Sequence, residues 1–141
     1  MIMYLNCKTY FSYRYGVLST EVLVKQAQAA GATTLALTNI NSTADHWVFY
    51  DACIQAGIKP VLGAEIRNGD ELVYLLLAKG MAGLRQINEL LTQHLQEKRF
   101  FPDKCPIHED VWVIYPLERV GYCTETHERI GVQPSDRKSV V

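Results

Sequence analysis

The sequence has no paired-cysteine motif. Its four cysteines, Cys7, Cys53, Cys105 and Cys123, stand far apart without a CxxC spacing. That removes the usual zinc-ribbon and redox signatures and leaves buried free thiols in a reducing compartment. An excess of either charge is also missing. Fourteen Lys and Arg face 15 Asp and Glu for a net charge of −1, with the basic residues scattered, so no global field draws the chain to nucleic acid and no direct nucleic-acid binding is expected. The longest apolar stretch, LVYLLLA at 72–78, is too short to span a bilayer, and the N-terminus shows no basic region leading into an uncharged apolar run. The expectation is a cytoplasmic protein without membrane contact. Internal repeats and low-complexity segments are absent too.

What is present is 141 residues, 48% hydrophobic and 21% charged, enough for one packed core. Apolar runs of strand type alternate with helical patterns, the mark of βα units and a parallel sheet. Strands are predicted near 2–8, 33–40, 59–67, 71–79 and 111–117, and helices near 20–30, 43–56 and 81–98. Ser19 or Thr20 caps the first helix, Gly31 and Gly57 stop the first two, and the NGD turn at 68–70 folds 71–79 back antiparallel. Leu84, Ile87, Leu91 and Leu95 form the apolar stripe of the third helix. A closed eight-stranded βα barrel needs on the order of 200 to 250 residues. The expected fold is therefore α/β, an incomplete distorted βα-barrel over 1–117 with a mainly parallel sheet and flanking helices, followed by a weakly patterned tail at 118–141 that is either part of the same domain or separate from it.

The succession YLNCKTYFSYRYGVLS, AGATTLALTNIN and AGIKPVLGAEI resembles the PHP domain (polymerase and histidinol phosphatase family) found at the N-terminus of bacterial DNA polymerase III alpha subunits. The likeness covers about residues 3 to 117. It implies strand ends converging at one end of the barrel, where the family holds two or three divalent metals for phosphoester hydrolysis. The family's first strand carries His-x-His, its second ends in Thr-Asp-His and its third in Gly-x-Glu. Here those positions hold Asn6 and Lys8, then Thr38, Asn39 and Ile40, and finally Glu65.

The chemistry of these replacements can be read directly. Asn6 and Lys8 are two apart on a strand and share a face, with Cys7 on the other. An ammonium has three donors, no acceptor and a charge that repels a cation. Asn39 offers a neutral carbonyl in place of a carboxylate, Ile40 offers nothing, and Glu65 alone cannot hold a metal cluster. No catalytic residue and no metal ligand set is expected, and no cofactor, although the family uses divalent metals. Two readings of Asn6, Lys8, Asn39 and Glu65 stay open: plain strand-end and turn residues, or remnant metal-site positions in which Lys8 pairs with Glu65. In the second reading, Lys8→His with Asn39→Asp begins to restore metal affinity.

His46, His94, His108 and His127 have no metal-ligand spacing, and His46 and His94 fall on predicted helix surfaces, as solvated or capping residues. Ser12 and Ser19 have no nearby His base in sequence. Tyr10, Phe11, Tyr13 and Tyr15 suit loop packing better than base stacking. Three functions remain: a non-catalytic PHP module of a replicative polymerase, scaffolding the rest of the alpha subunit or docking its proofreading exonuclease; a metal-dependent phosphoesterase or 3′–5′ exonuclease; and a free-standing interaction domain. The family parent is a nucleotidyltransferase, but no polymerase palm or nucleotide-binding carboxylate pair is visible, so polymerisation is not expected here. The surface that a full barrel would bury calls for a partner or a second copy.

Overall fold

The computed structural model describes residues 2–9 and 18–132. The aromatic run from Tyr10 to Tyr15, and Ser12, lie outside them. The elements are β1 (Ile2–Cys7), α1 (Thr20–Ala29), β2 (Ala32–Leu37), α2 (His46–Ala56), β3 (Lys59–Asn68), β4 (Glu71–Ala78), α3 (Met81–Gln96), β5 (Val111–Pro116), a 3₁₀ turn (Leu117–Tyr122) and β6 (Glu128–Gly131). The six strands form one curled sheet, a half-barrel, in sequential order from β1 to β6. β1–β2, β2–β3 and β5–β6 are parallel, while β4 runs antiparallel to both its neighbours.

Local signals explain most of these elements. Ser19 is the N-cap of α1 and its hydroxyl accepts from Val22 N at 3.4 Å. Gly57 ends α2 with φ of +73°, where a side chain would be strained. Gly69 takes φ of +61° in the β3–β4 turn. The side-chain alternation then assigns two faces. Ala64, Ile66, Tyr74, Leu76, Val111, Val113 and Tyr115 pack with α3 in one cluster, and Leu35, Leu37 and Leu62 pack with α1 and α2 in a second. Each fully buried aliphatic side chain contributes about 1.5–3 kcal/mol. Ala36, Val61, Leu75, Leu77, Trp112 and Ile114 occupy the opposite, inner face. That face opens into an apolar trough of about 880 Å³ edged by Met3, Leu5 and Trp47.

Several expectations need correction. α2 begins at His46 instead of 43, because residues 43–45 are held in a turn: Ala44 N donates to Ser42 Oγ and Thr43 Oγ1 to Asn88 Oδ1. β2 ends at Leu37, although Ile40 still bridges Glu65. The stripe of α3 is rotated from the expected one: Leu90 and His94 are buried and Leu95 is 50% exposed. His94 is not a surface residue, since its ring stacks on Phe101 at 5.0 Å and its Nδ1–H donates to Leu90 O. His46 is buried as well, its Nε2–H donating to Gly63 O at 2.9 Å. Burial pulls His46 below the ordinary histidine pKa, against the opposing pull of Gly63 O and Asp45. Past residue 117 the sheet gains a sixth strand, β6, where the sequence shows only a short apolar patch.

Candidate functional site

The inner face of the sheet carries the first cluster. Thr38 continues the alternation of Ala36, and Glu65 that of Val61, so both face inward from adjacent chain segments. Lys8, one residue past the end of β1, reaches the same point. Its Nζ lies 3.1 Å from Glu65 Oε1 and 3.3 Å from Thr38 Oγ1, and it donates to Asn6 Oδ1 as well. Thr38 Oγ1 in turn donates to Asn6 Oδ1 at 2.7 Å.

Glu65 has a second cation that the sequence reading missed. Arg67 Nε donates to Glu65 Oε2 at 2.6 Å, and the Lys8, Arg67 and Glu65 side chains are 10%, 16% and 3% exposed. The signal was available, because Glu65 and Arg67 are two apart on one strand. Arg67 is itself fixed by Asn41, which has φ of +48°: Arg67 N donates to Asn41 Oδ1 and Asn41 Nδ2 donates to Arg67 O, both at 3.0 Å. Burial pulls the Lys8 ammonium below the ordinary lysine value, and Glu65 works against that pull.

Asn39 belongs to a neighbouring network. Its Oδ1 accepts from Thr9 N at 2.9 Å, and its Nδ2 donates to Thr9 Oγ1 and to Asp45 Oδ1, each at 3.0 Å. Asp45 Oδ2 accepts from Thr9 Oγ1 at 3.1 Å and from Thr20 Oγ1 too. The parity of Asn39 is that of Leu35 and Leu37, which point to the helices, whereas Lys8 and Glu65 meet on the inner face. Asn39→Asp would set a second carboxylate against Asp45, away from the inner-face cluster of Lys8 and Glu65.

A family metal can be tested against these residues. A divalent cation needs several convergent lone pairs. Among the described residues at this point, the one carboxylate already accepts from an ammonium and a guanidinium, and both cations would oppose an added one. The residues do not fit a metal cluster.

The PHP domain profile matches residues 5–124. The chain belongs to the PHP domain family. It is 32% identical over 118 residues to the DNA polymerase III subunit alpha of Escherichia coli K12, covering 79% of this chain and 10% of that protein. With the Staphylococcus epidermidis subunit alpha the identity is 34% over 93 residues, 64% of this chain and 9% of the relative. The error-prone DNA polymerase of Symbiobacterium thermophilum is 30% identical over 129 residues, 87% of this chain and 12% of the relative. The chain thus spans about a tenth of the length of these relatives. An amidohydrolase from Chromobacterium violaceum, solved with sulfate and no metal, shares the fold at 20% identity and TM-score 0.51, over 70% of this chain and 36% of that one. No helix among the described residues is long and apolar enough to cross a membrane.

A second polar cluster lies around the start of β6. Glu128, 2% exposed, accepts from Lys104 Nζ, from Thr124 N at 3.0 Å, from Glu125 N at 2.9 Å and from Tyr115 OH at 3.0 Å. Burial pushes its carboxyl up, but these four donors outweigh it and hold the pKa down at about 2. Two of the four histidines that have no metal-ligand spacing in sequence come together here. His108 and His127 approach with ring centroids 6.0 Å apart.

Proposed function

We propose that this PHP domain is a non-catalytic module of a bacterial replicative DNA polymerase III alpha subunit, a scaffold in DNA replication and not a hydrolase. The observation that carries this reading is Glu65 held between Lys8 and Arg67 at the strand ends, with side-chain cations where the family resemblance puts metals. Lys8 and Glu65 then stand as remnant metal-site positions beside Asn6, while Asn39 supports the neighbouring turn. The scaffold role draws support from the open apolar trough on the inner face, a surface suited to cover by the remainder of the polymerase or by its proofreading exonuclease.

The test has two arms. The chain is incubated with manganese or zinc and either bis(p-nitrophenyl) phosphate or a 3′-labelled single-stranded oligonucleotide; no turnover above the metal-only blank is expected. Metal-dependent turnover that disappears in Glu65→Gln would overturn the reading in favour of a phosphoesterase or 3′–5′ exonuclease. In the second arm, the chain is mixed with the purified remainder of an alpha subunit and with its exonuclease. Comigration with either on size exclusion supports the scaffold role, and failure to bind both favours a free-standing interaction domain.

A further inference from the structure

His108 lies in the segment before β5, and Glu125 and His127 in the segment before β6. β5 and β6 are parallel, and because β4 is antiparallel to both β3 and β5, all of β3, β5 and β6 run the same way. These three residues therefore gather where strands begin, while Lys8 and Glu65 meet where β1 and β3 approach their ends. The two clusters are separate.

The geometry is that of a ligand set. One ligand atom from each of His108, Glu125 and His127 lies within 4.8 Å of the other two. His108 Nδ1 is 3.1 Å and His127 Nδ1 3.4 Å from the same oxygen, Glu125 Oε2. A tetrahedral zinc with bonds of about 2.0–2.1 Å sets its ligand atoms about 3.3–3.4 Å apart, close to this spacing. His127 Nε2–H donates to Ile107 O at 3.1 Å. In the neutral imidazole that bond leaves Nδ1 as a lone pair facing a carboxylate oxygen, acceptor against acceptor, an arrangement that a shared cation resolves. A histidine whose other nitrogen donates to a backbone carbonyl is also the usual outer bond of a metal-ligating imidazole.

The set is held in place beforehand. His127 is buried, and its carbonyl accepts from Val113 N at 3.0 Å. The backbone carrying Glu125 is fixed by the Glu128 carboxylate, which accepts from the amides of both Thr124 and Glu125. His108 and Glu125 are exposed, so an ion can enter and a fourth position stays open to water.

We propose that His108, Glu125 and His127 form a divalent metal site of the zinc class, with two imidazole nitrogens and one carboxylate as protein ligands. Two imidazoles favour zinc over magnesium or calcium. The ion joins the segment before β5 to the segment before β6, far along the chain from Asn6, Lys8, Asn39 and Glu65, and it does not depend on the scaffold reading.

The experiment titrates the metal-stripped chain with zinc by calorimetry and with cobalt by visible absorption. His108→Ala and Glu125→Gln are compared with Glu65→Gln and Cys123→Ser; all four leave the buried His127 in place. One equivalent of zinc is expected to bind, at least tenfold more weakly in His108→Ala and Glu125→Gln and unchanged in Glu65→Gln and Cys123→Ser. The cobalt spectrum should show ligand-field bands without a thiolate charge-transfer band. No saturable binding, or binding unmoved by His108→Ala and Glu125→Gln, overturns the proposal and leaves the cluster as histidine–carboxylate ion pairs. A thiolate band, or loss in Cys123→Ser, reassigns the metal to cysteine and overturns it equally. Loss in Glu65→Gln alone would overturn this site and the non-catalytic reading together.

Discussion

Glu65 and Glu128 are both buried carboxylates met by a lysine, with side chains 3% and 0% exposed, yet they are satisfied in different ways. Among the described residues, the ionic partners of Glu65 are the ends of long side chains, Lys8 and Arg67. Glu128 has Lys104 too, but two backbone amides and the Tyr115 hydroxyl complete its shell. Tyr115 OH also accepts from Cys105 N at 2.9 Å, so the network extends into the main core. An acid bound by main-chain amides is part of the fold, because its partners cannot leave without moving the chain. An acid bound by side-chain tips fills a pocket whose contents can be exchanged without moving the chain, which suits a position where the family resemblance implies a metal.

The sharpest way to break this comparison is Glu128→Ala. It leaves Lys104, two amides and a tyrosine hydroxyl without their shared acceptor, and a loss of about 3–5 kcal/mol is expected from the urea midpoint. An unchanged midpoint would show that the network is not structural. Acid titration addresses the same residue without a large cavity. The folded pKa of Glu128, about 2, lies below its ordinary value of 4.5. Its contribution is therefore fully present above pH 4.5 and is lost as pH falls toward 2, about 3 kcal/mol in all. Glu128→Gln should flatten the stability curve across that window, and a slope equal to wild type would refute the assignment.

Glu65→Ala comes next, with an expected loss of about 1–3 kcal/mol. Lys8 and Arg67 keep some solvent access and can turn toward the trough once their acceptor is gone. A loss at Glu65 equal to that at Glu128 would erase the distinction between a filled pocket and a structural acid.

The two regions also differ in how far they could be read beforehand. Strands, helices and the β3–β4 hairpin follow from local signals such as the Ser19 cap, Gly57 and the NGD turn, with β2 and α2 shorter than expected. β6 does not, because four residues in a polar tail become a strand only by pairing with β5. Within the site, the Lys8–Glu65 contact was legible from the family resemblance and strand parity. Arg67 could have been read from the same parity, two residues from Glu65. Asn39 keeps the outward parity of Leu35 and Leu37, so strand alternation alone sets it among Thr9 and Asp45 and not beside Lys8 and Glu65. His108 and His127 come together only through the β5–β6 pairing, which no sequence spacing reveals.

The smallest expected effect compares the two lysines. Lys8→Met removes one of two cations from Glu65 and leaves Arg67 Nε at 2.6 Å, and it replaces a desolvated ammonium, whose pKa burial already lowers, with an apolar chain of similar length. Removing one partner of a buried pair is costly when it leaves the other charge uncompensated; here Arg67 still compensates Glu65, so the change in stability should stay within about 1 kcal/mol. Lys104→Met takes away the one side-chain cation within ion-pair distance of Glu128 among the described residues. Its amides and Tyr115 remain, so the loss should be about 1–2 kcal/mol, less than in Glu128→Ala. Paired urea melts at pH 7 decide the matter. If Lys8→Met costs more than Lys104→Met, the ammonium at Glu65 is fixed in the fold as firmly as any backbone donor, and the pocket cannot be treated as one whose occupant was exchanged.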